Sequence, residues 1–155
     1  MFVGHLRLDR MSAPAAAEFL RIVEGLDRLA VRQFVLVSDA WVARRLFACP
    51  CVQVGPLVSS PVVANCTMPG VDIVHAHDDR GGKAALLMAL TRSIPYVYSA
   101  RRSLRPYRLR ASMRRRAARV LKSADLDVDR LLDIYADVIA AEGGASEFPE
   151  HADRR

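Results

Sequence analysis

The hydrophobic and polar positions of this chain fall into short apolar runs separated by amphipathic stretches, the order expected of alternating strands and helices. Phe2 to Leu8 alternates loosely and reads as a first strand. Ser12-Ala13-Pro14 marks a helix start, with proline in the first turn. The helix runs from Ala15 to Leu29 and places Phe19, Ile22, Val23 and Leu26 on one face. Gln33 to Ser38 is a second strand, near-continuously apolar, as strands covered on both faces are. Asp39 caps a short helix reaching Phe47, Cys51 to Val54 is a third strand, and Leu57 to Met68 reads as an irregular connection.

The strongest signal is Val71-Asp72-Ile73-Val74-His75-Ala76-His77-Asp78-Asp79, a buried strand that runs into titratable groups. Arg80-Gly81-Gly82-Lys83 follows, and from Gly82 onward Lys83 to Leu90 is strongly helix-forming. Ile94-Pro95-Tyr96-Val97-Tyr98 closes a βαβ unit. The order predicts an α/β fold: a doubly wound, Rossmann-like parallel sheet of about five strands over residues 1–100, with extra C-terminal helices. Residues 101–142 hold a basic segment, helical from about Leu109, and a last helix. Asp125 to Asp129 caps that helix, Val128, Leu131, Leu132, Tyr135, Val138 and Ile139 share its apolar face, and Gly143-Gly144 stops it. Residues 143–155 read as a disordered tail.

Composition narrows the classes. The 155 residues are 52% hydrophobic and 26% charged, which fits one globular domain, while 6% aromatics argues against a stacking platform for single-stranded nucleic acid. No apolar run is long enough for a membrane span, and the first residues lack a signal-peptide pattern. The expected location is cytoplasmic, or peripheral on the cytosolic face of a membrane. Cys49, Cys51 and Cys66 do not form a disulfide framework or a zinc pair. The net charge of +6 is concentrated: Arg101 to Lys122 holds ten basic residues and no acidic one. An anionic partner is implied, such as a membrane surface, a phosphorylated ligand or nucleic acid.

Candidate chemistry gathers at the end of the strand beginning at Val71. Ligands of open α/β sheets bind beyond the carboxyl ends of the strands, where His75, His77 and Asp78 fall. Residues two apart on a strand point the same way, so one histidine can serve as a base held by Asp78 or Asp79. The competing reading is a histidine satisfied by loop backbone. His75-x-His77-x-Asp79 is also similar to the ligand runs of metal-dependent hydrolases. Such a site needs further histidines, and only His5 and His151 remain, so no metal is assigned. No cofactor is assigned either: Gly4 opens no dinucleotide fingerprint, and Gly82-Lys83 lacks the rest of a P-loop. Arg80, Gly81, Gly82 and Lys83 at a helix start, and Arg101 and Arg102 after the last strand, are candidate phosphate or acceptor contacts. Arg105, Arg108, Arg110, Arg114, Arg115 and Arg116, interleaved with Leu104, Tyr107, Leu109 and Met113, suit anionic lipid or a partner protein, or form a solvated helix face. Nucleic acid ranks lower because no recognition motif accompanies the charge.

The segments Val71–Asp78, Ala84–Leu87 and Ile94–Tyr98, with the opening strand and the 15–29 helix, resemble the N-terminal domain of family 4 glycosyltransferases of the GT-B fold. The resemblance covers about the first two-thirds of the chain. It implies an acceptor-side domain, with His77 or His75 and Asp78 lining the acceptor cleft, in assembly of a cell-surface polysaccharide or of a glycolipid such as lipopolysaccharide. Two features depart from the family. Asp9-Arg10-Met11-Ser12-Ala13 replaces its glycine-rich turn, and the nucleotide-sugar-binding domain with its paired glutamates is not encoded. The last helix resembles the one that crosses back onto the N-terminal domain, so Lys122-Ser123-Ala124 reads as a splice. The expectation is an acceptor half, inactive alone unless a partner subunit or a second copy supplies the donor half. The alternative is a non-catalytic module that docks through its arginines.

Overall fold

The computed structural model describes residues 1–99, 116–121 and 126–144. In chain order its strands are β1 (Phe2–Arg7), β2 (Arg32–Val37), β3 (Val52–Val54), β4 (Ile73–Ala76), β5 (Tyr96–Ser99) and β6 (Arg119–Leu121). Its helices are α1 (Ala13–Arg28), α2 (Ala40–Leu46), α3 (Pro61–Thr67), α4 (Asp79–Arg92) and α5 (Val128–Gly144). The strands form one six-stranded sheet in the order β3-β2-β1-β4-β5-β6, and every pairing is parallel. This is the doubly wound, Rossmann-like arrangement. The chain runs outward from β1 through β2 to β3, then returns to the far side of β1 and runs outward through β4, β5 and β6. The neighbouring strands β1 and β4 therefore belong to opposite windings.

Alternation along the strands sends residues to two cores. Val3, Ile73, Val97 and Leu121 pack on one face with Ile22 and Leu26 of α1 and Leu131, Ile134 and Tyr135 of α5. Val35 and Val37 extend that face beneath Phe19, Val23, Val42 and Leu46 of α1 and α2. Leu6, Val74, Tyr96 and Tyr98 face the other way, against Ala64 and Met68 around α3 and Ala84, Ala85 and Met88 of α4. Burial on both sides explains why β2 from Phe34 onward and β4 up to Val74 read as near-continuous apolar runs.

Three sequence expectations are corrected. Residues 57–68 are not wholly irregular, because Pro61–Thr67 is helical. Its β-branched Val62 and Val63 masked the helix, yet Pro61 is pre-set for a first turn and Arg92 of α4 takes up the loose end. The Arg92 guanidinium donates to the carbonyls of Met68 at 2.7 Å and Pro69 at 2.9 Å. The basic segment does not stay helical to Lys122, because Arg119–Leu121 pairs with β5 as a sixth strand where the sequence predicts about five. Three short residues at a sheet edge carry no periodicity from which a strand can be read. Helix α4 begins at Asp79 rather than Gly82, because Asp78 caps it. Arg101, Arg102, Arg105, Arg108, Arg110, Arg114, Arg115 and the tail from 145 onward lie outside the described residues. No helix among the described residues is long and apolar enough to cross a membrane.

Candidate functional site

The parallel register sets His5 of β1 directly opposite His75 of β4. His77, two residues beyond His75, projects to the same side. The three imidazoles meet beneath α1 and α5, at 0%, 0% and 4% exposure. His5 Nδ1 and His77 Nε2 are 3.0 Å apart and share a hydrogen bond. The His75 and His77 rings stack with centroids 3.7 Å apart, and the edge of Phe19 meets His77 at 4.9 Å.

His75 is fully engaged. Its Nδ1 lies 2.6 Å from the Tyr135 hydroxyl and its Nε2 lies 2.7 Å from Ser99 Oγ. A neutral imidazole has one donor and one acceptor, and a hydroxyl serves as either, so both ring nitrogens are satisfied in either tautomer. Burial, and secondarily the proximity of His5, holds the His75 pKa well below its ordinary value. Burial likewise lowers His5 to about 3, against a weaker opposing pull from the Gln33 amide. Even so, His5 Nε2 and Gln33 Oε1, buried on the same face of adjacent strands, both lack a partner within hydrogen-bond geometry. Burial also raises the Tyr135 pKa, which keeps its hydroxyl protonated.

Beyond the imidazoles, at the carboxyl ends of β1 and β4, the polar groups interlock. The Arg7 guanidinium donates to the His77 carbonyl, and its Nε lies 3.6 Å from Asp78 Oδ2. Asp78 Oδ1 accepts the Gly81 amide at 2.6 Å as the cap of α4, and Oδ2 accepts the Asp9 amide at 2.9 Å. Burial pushes the Asp78 pKa up, and those two amides and Arg7 pull against that shift. On the opposite face, Tyr98 donates to Asp79 Oδ1 at 2.6 Å.

The predicted glycines serve packing. A side chain at Gly81 would come within 2.7 Å of the Leu6 carbonyl oxygen, so glycine is what lets α4 approach β1 this closely. The first-turn amide that an anion would use is already taken by Asp78. Gly82 is buried, whereas Lys83 is exposed and Arg80 pairs with Asp9 at 3.1 Å. Arg116 is exposed, on the wall of an open groove shared with Tyr96 and Glu142.

The structure thus brings His75, His77 and Asp78 together at the sheet's crossover point and adds Arg7, His5, Ser99 and Tyr135. Neither Arg7 nor His5 has a sequence signal of its own, since each stands in an unremarkable first strand and gains meaning only from the register with β4. A small cleft with room for about one water borders this cluster, lined by Arg7, Glu18, Phe19, Ile22, His77 and Ser99. One ring nitrogen from each of His5, His75 and His77 lies within 4.8 Å of the others, a spacing within which a metal ion can be held. No known protein family, curated protein or solved structure matches the chain.

Proposed function

We propose that this chain is the acceptor-side half of a GT-B-type glycosyltransferase acting on cell-surface polysaccharide or glycolipid. The observation that carries this reading is the convergence of polar groups at the crossover point. Arg7, His77 and the Asp78-capped start of α4 converge where the two windings part, the position at which open α/β sheets take their ligands. His77 lines the cleft and is assigned to contact the acceptor hydroxyl. His75, with both nitrogens engaged, and Asp78, committed to Arg7 and to two amides, are positioning residues. Helix α5 packs back over β4, as the resemblance requires of a clasping helix. In the complete reaction the acceptor oxygen forms a bond to the sugar's anomeric carbon, the bond from that carbon to the phosphate oxygen breaks, the nucleoside diphosphate leaves with the electron pair, and the hydroxyl proton passes to a base. That step calls for a donor-binding unit working with this one, from a partner subunit or a second copy.

A second reading, docking on an anionic membrane, is favoured by α2. Trp41 and Phe47 are 51% and 70% exposed, with the exposed Arg44 between them. Aromatic and guanidinium groups together suit a lipid headgroup boundary.

Calorimetric titration separates the two. Vesicles bearing a sugar-headed glycolipid should give saturable heat that plain anionic vesicles do not, and a panel of nucleotide-sugars identifies any donor bound. Heat from plain anionic vesicles alone, weakening with salt, would overturn the transferase reading in favour of docking. Trp41 is the chain's one tryptophan, so a blue shift of its emission would report docking through α2.

A further inference from the structure

We propose that His5, His75 and His77 form a binding site for a divalent transition-metal ion of the zinc type. The inference shares His77 with the transferase reading but does not rest on it. One ring nitrogen from each residue lies within 4.8 Å of the other two, and all three side chains are buried. The closest pair, His5 Nδ1 and His77 Nε2 at 3.0 Å, is already near the separation of two nitrogens on one tetrahedral ion, about 3.3 Å for bonds of about 2.0 Å.

Two further features fit a metal. Outer partners are in place to orient the rings. Tyr135 holds His75 Nδ1, and Gln33 Oε1 shares a strand face with His5 Nε2, both of them buried without another partner. An ion on His5 Nδ1 would fix the proton on Nε2 and direct it at that amide oxygen. A cleft with room for about one water, walled by Arg7, Glu18 and Phe19, also ends on His77 and Ser99.

The donor set selects the ion. Three nitrogens without a carboxylate among them suit Zn²⁺, Co²⁺, Ni²⁺ or Cu²⁺ and exclude a preference for Mg²⁺ or Ca²⁺. With Tyr135 keeping Nδ1, His75 would bind through Nε2 in place of its bond to Ser99 Oγ, and the released hydroxyl or a water would fill the fourth position. The Arg7 guanidinium beside the cluster donates to the His77 carbonyl and lies 3.6 Å from Asp78. His75 and His77 stack side by side with 29° between their planes, so closure on one ion takes a ring rotation.

The test uses the full chain, treated with chelator and titrated with Co²⁺, whose visible absorption reports coordination number and donor type. The expected result is one Co²⁺ per chain, displaced by Zn²⁺. It should persist in His151→Ala and in a Cys49→Ser, Cys51→Ser, Cys66→Ser variant, and weaken by at least about 100-fold in His5→Gln and His77→Gln. X-ray absorption of the Zn²⁺-loaded wild type should give about three imidazole shells at about 2.0 Å, and decides the matter if either variant fails to fold. Absence of a stoichiometric Co²⁺ spectrum, its survival in both folded histidine variants, or sulfur scatterers around Zn²⁺ would overturn the proposal. The imidazoles would then be a hydrogen-bonded core array and nothing more.

Discussion

The hydroxyl of Tyr135 lies 2.6 Å from Nδ1 of His75, joining the last helix to a central strand across 60 residues of sequence. Both groups are fully buried, so neither has water as an alternative partner. Tyr135→Phe keeps the ring packing and strands one imidazole nitrogen. The expected cost is about 1–3 kcal/mol, read as a lower urea midpoint. A midpoint equal to wild type would mean that the contact contributes nothing net.

The buried histidines make stability depend on pH. His5 is held at about 3 and His75 well below its ordinary value, whereas both bind a proton near pH 6.5 once unfolded. Below pH 6.5 the unfolded chain therefore holds more protons, and stability falls as pH drops from 6.5 toward 3. Each such proton contributes a slope of about 1.4 kcal/mol per pH unit. Asp78, raised by burial, acts oppositely and eases the loss near the acid end. Urea midpoints measured across this range in chelator should fall with acid, and His5→Gln should flatten the slope by about one proton.

Asp78 offers a graded comparison. Alanine removes the cap of α4, the anchor for the Asp9 amide and the counter-charge of a buried guanidinium, and should cost about 3–5 kcal/mol. Asparagine keeps an acceptor for the cap and avoids the desolvation that raises the Asp78 pKa, so it should cost distinctly less. Chemical denaturation of the two variants checks the order, and equal losses would contradict it.

Gly25 sets the distance between α1 and α5. A Cβ there would meet Val128 Cγ2 at 2.5 Å, and a β-branched side chain has little freedom to withdraw. Gly25→Ala should therefore destabilise by about 1–3 kcal/mol although alanine is the better helix former. Val128→Ala in the same chain should recover much of that loss. Additive effects in the double variant would mean that the two helices do not press on each other here.

What could be read from the sequence follows from where the information lies. Phe19, Ile22, Val23 and Leu26 announce α1 through their spacing, and the run from Ile73 to Ala76 announces a strand covered on both sides. The parallel sheet follows from the alternation of such elements. His75, His77 and Asp78 stand out because polar groups end an apolar run. His5 and Arg7 do not, since their partners His77 and Asp78 are about 70 residues away and only the β1–β4 register joins them. Ser12 and Asp39 precede α1 and α2 as predicted, but neither side chain caps its helix, and Asp39 instead accepts the Met11 amide. Local propensity placed the helix starts, while tertiary contacts decided which groups the side chains serve.

The order of synthesis gives the Tyr135–His75 contact a kinetic side. A ribosome releases β1 and its histidine early and β4 much later, and then must add 60 residues before the hydroxyl that covers His75 exists. Until then the growing chain carries uncovered imidazoles in a half-built interior. Contacts this distant in sequence slow the search for the native state. His75 of β4 therefore waits for the last helix to cover it, which leaves the nascent chain exposed to aggregation at its own core in the meantime.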